Sequence, residues 1–520
     1  MGKVKIISYE QAAEMVNDKH TVVISGFVQS ALPEGLLTAL ENRFVSTAKP
    51  RDLTVYYVAG IGNRNGAAVD HFAHEGMVKR VVGGHWNLIP KMGKMAIENK
   101  IEAYNLPQGT LSQMMREIAS GRPGLITHVG LGTFVDPRIE GGKLNSISKE
   151  DLVEVIEIKG QEKLFYNCDV KFNVALMRGT YADENGNITM EHEVGSHDVT
   201  SMAQATKNAG GKVIVQVKAV VQNGSLDPKL VKIPGIYVDA VVINNDNNLH
   251  QQTLGTYWEP AASGQYRIPL ASIKPAPLDE RKIVGRRGAM ELKKDTIVNL
   301  GIGMAEAIAA VANEEGIGDI MTLTVEPGPI GGVPLAAAGF GSALNPEAII
   351  DQALQFDFYD GGGLDMAFLG LAETDVHGNI NVSKFGPRVA GTGGFVNITQ
   401  NAKEVFFCGT FTAGGLKVRI ENGKLIIDQE GRERKFVKHV QQITFSGAYA
   451  VKKGQPVKYI TERAVFELRS DGMYLTEIAP GIDLKTQILD LMDFEPKIDG
   501  QPKLMDSRIF EDVLMGLKNA

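Results

Sequence analysis

Short runs of apolar and β-branched residues, such as "KVIVQVKAVV" and "KEVFFCGTF", alternate along the chain with alanine-rich stretches of helical period. Continuous apolar runs suit strands buried on both faces, so the pattern predicts a mostly parallel sheet with helices on either side. "IMTLTV" (320–325) reads as one such strand, and "VNLGIGMAEAIAAV" (298–311) as a strand, a glycine turn and a helix. Ligands of such sheets bind where the strands end, in the loops at their carboxyl edge. Glu326, which follows "IMTLTV" into the turn "TVEPGPIGGVP", has that position.

The pattern occurs twice. "TVVISGF" (21–27) resembles "TIVNLGI" (296–302), each after a helical segment, and "DLTVYYVAGIG" (52–62) resembles "TLTVEPGPIGG" (322–332), Leu53 facing Leu323 at an offset of 270. "NVALMRGTYADENGNITM" (173–190) resembles "DMAFLGLAETDVHGNINV" (365–382), Gly186 facing Gly378 at an offset of 192. The drop in offset gives the first copy an insert of roughly 78 residues, which holds "YNLPQGTLSQ" and "HVGLGTFVDPR". Prolines in "RIPLASIKPAPLDE" discourage regular structure and put the join near residue 278. The expectation is two related open, mostly parallel α/β domains, 1–278 and 279–520.

Composition narrows the partners. In 520 residues, 58 glycines with 7% aromatics fit an α/β protein of many tight turns, and a net charge of -7 offers no basic field for nucleic acid or an anionic membrane. Small-molecule partners are favoured. No apolar run is long enough for a membrane span, and "MGKVKIISYEQAAEMV" has no signal-peptide pattern, so a cytoplasmic enzyme is expected. Cys168 and Cys408 lack the near neighbours of a zinc or redox pair and read as core residues. His85, His128 and His192 lack metal-ligand spacing and read as structural histidines; no metal is expected.

Chemistry is sought where the copies differ. Opposite Glu326 the first copy has Tyr56, and opposite "GTGGF" (391–395) it has "VTSMA", without glycine. A loop of that kind lets backbone approach a ligand and leaves N–H groups to donate, although the same residues also suit an ordinary tight turn. It is no dinucleotide fingerprint, since G-x-G-x-x-G is not completed after Gly391, Gly393 and Gly394. No G-x-S-x-G elbow occurs, which removes an α/β-hydrolase.

Taken together, "PQGTL", "GLGTFVDPR", "TVEPGPIGGVP", "DFYDGGGLD", "GTGGF" and "FFCGTFTAGGLK" make the chain resemble the class I acyl-CoA transferases over nearly its whole length. The likeness is nearest to the propionate and acetate CoA-transferases, in which both halves are fused. The resemblance implies a CoA-transferase-like fold, a homo-oligomer, and a ping-pong exchange of CoA between acyl-CoA and short-chain carboxylic acids. Coenzyme A would be a substrate, with no permanently bound cofactor. Glu326 matches the family's nucleophile. Gly393, Gly394 and Gln108 match its oxyanion donors, and Gly391, Gly393, Gly394 and Phe395 its CoA contacts. Pro327 stands where relatives often have a small residue, and "LAAAGFGSALN" (335–345) would line the acyl pocket.

A carboxylate suits the role because its anhydride with the acyl group and its thioester with CoA both preserve the activation of the substrate. A glutamate of ordinary pKa, about 4.3, is ionised at neutral pH without a neighbouring base. Two other readings use the same residues: a hydrolase in which water takes the acyl group from Glu326, and a catalytically silent member of the fold that binds a metabolite.

Overall fold

The computed structural model describes residues 3–269 and 276–519. Two compact units divide the chain. The first runs to Ile268 and takes in Val325–Asp357 and Phe385–Asn397; the second holds Pro269–Thr324, Phe358–Lys384 and the residues from Ile398 onward. A single cut at 278 therefore does not reproduce the compact units. The segments with Glu326 and the glycine loop follow that point in sequence yet group with the first unit, and backbone bonds tie each there: Asn345 N to Ala261 O (3.0 Å) for the first and Gly393 N to Gly84 O (2.7 Å) for the second. Within the proline-rich join, residues 270–275 lie outside the described residues.

The first unit is built on an eight-stranded sheet. Its strands are β1 (Lys5–Ile6), β2 (Thr21–Ile24), β3 (Leu53–Tyr57), β4 (Val78–Gly83), β5 (Glu102–Asn105), β6 (Val174–Arg178), β7 (Lys212–Val217) and β8 (Ala240–Ile243). They lie in the order β1-β8-β7-β6-β2-β3-β4-β5, every pair parallel. All five residues of β6 are buried, as two-sided burial requires. Three helices of this unit are α1 (Glu34–Thr47), α2 (Gln108–Ala119) and α3 (Val199–Asn208). Leu36, Leu37, Leu40 and Phe44 recur at helical spacing along α1, and they share one core with Val22, Ile24, Val55 and Tyr57 of the sheet.

In the second unit α4 (Glu280–Ala289) and α5 (Glu306–Glu314) accompany strands β9 (Thr296–Leu300), β10 (Met321–Thr324), β11 (Met366–Gly370), β12 (Glu404–Cys408) and β13 (Val457–Ile460). These five run β10-β9-β11-β12-β13 and are parallel. The first unit repeats that order as β3-β2-β6-β7-β8, which is the duplication expressed in topology. Beyond β13 the sheet turns antiparallel through Ala464–Arg469 and Gly472–Ile478. The insert of the first copy supplies β4, β5, α2 and a three-stranded antiparallel sheet of Gly124–Thr127, Gln161–Asn167 and Val153–Ile158.

Two further helices matter for the site, α6 (Gln352–Asp360) and α7 (Phe395–Asn401). Glu326 precedes the first and the glycine loop leads into the second.

Candidate active site

Glu326 lies two residues beyond the end of β10, in a tight turn. Gly328 N donates to Val325 O (3.0 Å) and Val325 N to Pro329 O (2.9 Å), so the turn is closed from both sides. Gly328 has φ +129, and a Cβ there would lie 1.9 Å from Ile350 O; only glycine fits. Pro329–Ile330 pairs antiparallel with Ala348–Ile349, which carries the chain back to α6 beside the turn. The glutamate singled out from sequence is thus held by backbone on both sides.

The glycine loop is clamped onto the ends of β4 and β5. Trp86 N and Asn87 N donate to Ala390 O, Thr392 N to Asn105 Oδ1 (3.0 Å), Gly393 N to Gly84 O, and Gln108 N to Gly393 O (2.9 Å). Gly391 (φ +80) and Gly393 (φ +54) take left-handed backbone angles. A Cβ at Gly391 would meet Trp86 N and His85 Cα at 2.9 Å. At Gly394 a Cβ would sit 2.8 Å from Glu326 Oε2 and 3.1 Å from Phe356 Cζ, so the loop presses its bare backbone against the carboxylate. The two expected donors differ: Gly393 N–H is spent on Gly84, whereas among the described residues nothing accepts from Gly394 N–H. Phe395, at the start of α7, is buried.

Gln108 opens α2, and its Nε2 donates to Glu326 Oε2 at 3.1 Å. The structure therefore brings Glu326, Gln108 and Gly394 together, with Gly391 and Gly393 as the fixed part of the loop. Burial pushes the Glu326 carboxyl up to about 7, against the pull of the Gln108 amide. This corrects the expectation of a glutamate of ordinary pKa: burial holds its carboxyl well above the usual carboxylate range. A desolvated carboxylate is also less stabilised, hence more reactive as a nucleophile. With Glu326 as the nucleophile that the family resemblance implies, only its carboxylate form attacks, and kcat/KM for acyl-CoA should rise with pH through about 7 and level off above it. A profile already flat at pH 5 would contradict this placement.

Several neighbours escaped the sequence reading. Asn105 holds the loop, and Asn397 Oδ1 accepts from Gly109 N (3.1 Å). Gln352, Asp198 and Ser112 form a buried polar group beside Gln108. His85 differs from the satisfied structural histidine expected: its Nδ1 is buried with no hydrogen-bond partner among the described residues, its ring backs the glycine loop, and burial lowers its pKa to about 4. His192 does have partners, Lys218 Nζ at 3.1 Å and the Trp258 ring at 4.2 Å. Cys168 and Cys408 are buried, and burial pushes both thiols up to about 12. In the 335–345 segment, Phe340 stacks on Phe27, which stacks on His197 (centroids 6.0 and 5.9 Å). A Cβ on Gly341 would lie 3.3 Å from Pro327 Cγ, so this segment borders the residue after Glu326.

The family pattern described as "Coenzyme A transferase" matches residues 6–244. Caffeate CoA-transferase of Acetobacterium woodii is 47% identical over 518 residues, 99% of this chain and 98% of its own. Acetate CoA-transferase YdiF of Escherichia coli K12 is 44% identical, over 99% of this chain and 97% of its own. The crystal structure of the acyl-CoA transferase YdiF apoenzyme from E. coli O157:H7 superposes with a TM-score of 0.93, covering 99% of this chain and 98% of that one at 44% identity. A second crystal structure of that enzyme is a thioester complex with CoA.

Proposed function

The chain belongs to the coenzyme A transferase family, and from that premise we propose that Glu326 carries CoA covalently between an acyl-CoA and a free short-chain carboxylate. The observation that carries this reading is the placement of one desolvated carboxylate against both a bare glycine backbone and an amide donor.

Each step balances without an outside reagent. A Glu326 oxygen attacks the thioester carbon, the C–S bond breaks, and an acyl-glutamyl anhydride forms beside free CoA thiolate. The thiolate attacks the glutamyl carbon of the anhydride, releasing the first acid as its carboxylate and leaving a glutamyl-CoA thioester. The acceptor carboxylate reverses both steps. Every attack develops an oxyanion, and donors aimed at it in a closed site lower the barrier most. Gln108 Nε2 and Gly394 N–H are the donors within reach of the glutamyl group; Gly393 supports the loop instead of donating. CoA would lie along the glycine loop by Gly391 and Phe395, as substrate and not as a resident cofactor.

The acid is decided elsewhere. The two relatives are named for acetate and for caffeate, a small aliphatic and a bulky aromatic acid. Phe27 and Phe340, beside Pro327, would form the apolar wall that selects between such shapes. No helix among the described residues is long and apolar enough to cross a membrane. The reading includes a cytoplasmic homo-oligomer.

Initial rates test the sequence of steps. Double-reciprocal plots against acyl-CoA at several acceptor concentrations should be parallel, because the first acid leaves before the second binds. Intersecting lines would mean a ternary complex and contradict the covalent route. Consumption of acyl-CoA at full rate without any acceptor acid would favour a hydrolase.

A further inference from the structure

Gln108 does not stand alone. Its amide carries two N–H bonds on Nε2; one goes to Glu326 Oε2 and the other points to Gln352 Oε1 at 3.5 Å. Gln352 is fully buried at the start of α6, and its own Nε2 donates to Asp198 Oδ2 at 2.8 Å. Asp198 Oδ1 accepts a close hydrogen bond from Ser112 Oγ, on the same helix as Gln108. Two more bonds fasten the pieces: Gln352 N donates to His197 O (3.2 Å), and Ser196 Oγ to Asp351 Oδ1.

The segment departs from local rules to make this arrangement. Asp198 sits at the N-cap of α3, where an aspartate ordinarily accepts from the first turn, yet its side chain caps nothing and turns to Ser112 and Gln352. His197 before it has φ +51, a strained angle for a residue with a side chain. Such departures gather at functional sites.

We infer that Asp198 and Gln352 are positioning residues, which keep the Gln108 amide turned with its N–H groups toward the glutamyl carbonyl throughout the reaction. An amide reads equally well in two orientations unless a partner fixes it. Burial pushes the Asp198 carboxyl up to about 7 against the pull of Ser112; as a carboxylate it presents an acceptor to Gln352, so Gln352 turns its NH2 there and its carbonyl to Gln108. Gln108 must then offer its NH2, and the second N–H faces residue 326. Glu326 cannot do this for itself. Once it is acylated its charge is gone, at the moment when an oxyanion has to be met. Asp198 keeps its place through the cycle.

The inference rests on Glu326 as nucleophile and Gln108 as donor, and a double-mutant cycle separates the two claims. Gln352→Met keeps the volume and removes both bonds. It should lower kcat on the order of 10-fold with KM for acyl-CoA unchanged, and the reaction of trapped glutamyl-CoA enzyme with acceptor acid should slow at least as much. In a Gln108→Ala background the same change should add nothing. Equal losses in both backgrounds would overturn the inference and leave Gln352 a structural residue. Gln108→Ala without effect would remove the donor itself, and the inference with it.

Gln352→Glu gives an independent readout. It sets a second carboxyl against Asp198, and the groups facing the pair are Ser112 and Arg116 of α2, His197, and Asp351 with its partner Lys232. Two carboxyls in contact share a proton, and the introduced carboxyl, when protonated, can still donate to Asp198 while accepting from Gln108. The activity optimum of this variant should move to lower pH than that of the unchanged enzyme. An unmoved profile would overturn the inference.

Discussion

Glu326→Ala should reduce CoA exchange to the uncatalysed level while leaving the protein folded. The side chain is half-buried, and its amide partner Gln108 can turn to Gln352 when the carboxylate is gone. The sheet and the turn do not depend on it: the turn is closed by Val325, Gly328 and Pro329 backbone. Removing a group whose burial already pushes its pKa up to about 7 relieves an unfavourable desolvation, so thermal stability should be unchanged or higher. Glu326→Asp is the finer variant. It keeps the charge and withdraws it by about one carbon–carbon bond, roughly 1.5 Å. Misplacement of a reacting group by about 1 Å can cost on the order of 10²-fold, and a loss of at least that size is expected in kcat. Near-normal exchange by Glu326→Ala would mean that the nucleophile lies elsewhere.

Gly394→Val should lower kcat on the order of 10² to 10³, the range found when one oxyanion donor is lost. A Cβ at this position would meet Glu326 Oε2 at 2.8 Å and Cδ at 2.9 Å. Contacts that short are not tolerated, and the flexible partner is the carboxylate, so Glu326 moves off its seat. The valine would also crowd the approach to Gly394 N–H. The backbone angle at Gly394 is not left-handed, unlike those at Gly391 and Gly393, so the valine brings no backbone strain there, and the fold need only let the Phe356 ring shift slightly. Wild-type turnover in Gly394→Val would reduce the loop to an ordinary turn.

The repeat made the architecture readable. Matching strands at offsets of 270 and 192 revealed both copies and the insert, because buried parallel strands are continuous apolar runs that survive as visible blocks. Strand order within each sheet bears out the duplication. Compact units were less legible. Segments 325–357 and 385–397 join the first unit through backbone bonds such as Gly393 N to Gly84 O, and main-chain partners leave no residue-type signature. The antiparallel strands after Ile460 belong to one copy alone and had nothing to be matched with.

Glu326 and Gly394 stand out in the sequence because they lie where the copies differ, and the fold brings them together. The supporting residues were harder to see. Gln352 lies well beyond the "EPGPIGG" turn in sequence, and its role depends on the antiparallel pairing that returns the chain to α6. Asp198 lies just before "VTSMA", the stretch opposite the glycine loop, and that equivalence was a signal available from the repeat. An aspartate before a helix reads as a cap, and only the folded chain places its carboxylate on Gln352. The raised pKa of Glu326 was invisible as well, since desolvation comes from residues far apart in sequence.

Covalent capture shows which side chain carries CoA. The protein is incubated with acyl-CoA alone and then treated with borohydride, which reduces a glutamyl thioester to the alcohol and leaves free carboxylates unchanged. Peptide mass mapping should find that reduction at Glu326 and at no other acidic residue, with one CoA released per site, and none of it in Glu326→Ala. Reduction at a different glutamate or aspartate, or CoA exchange at full rate with no residue reduced, would contradict the account.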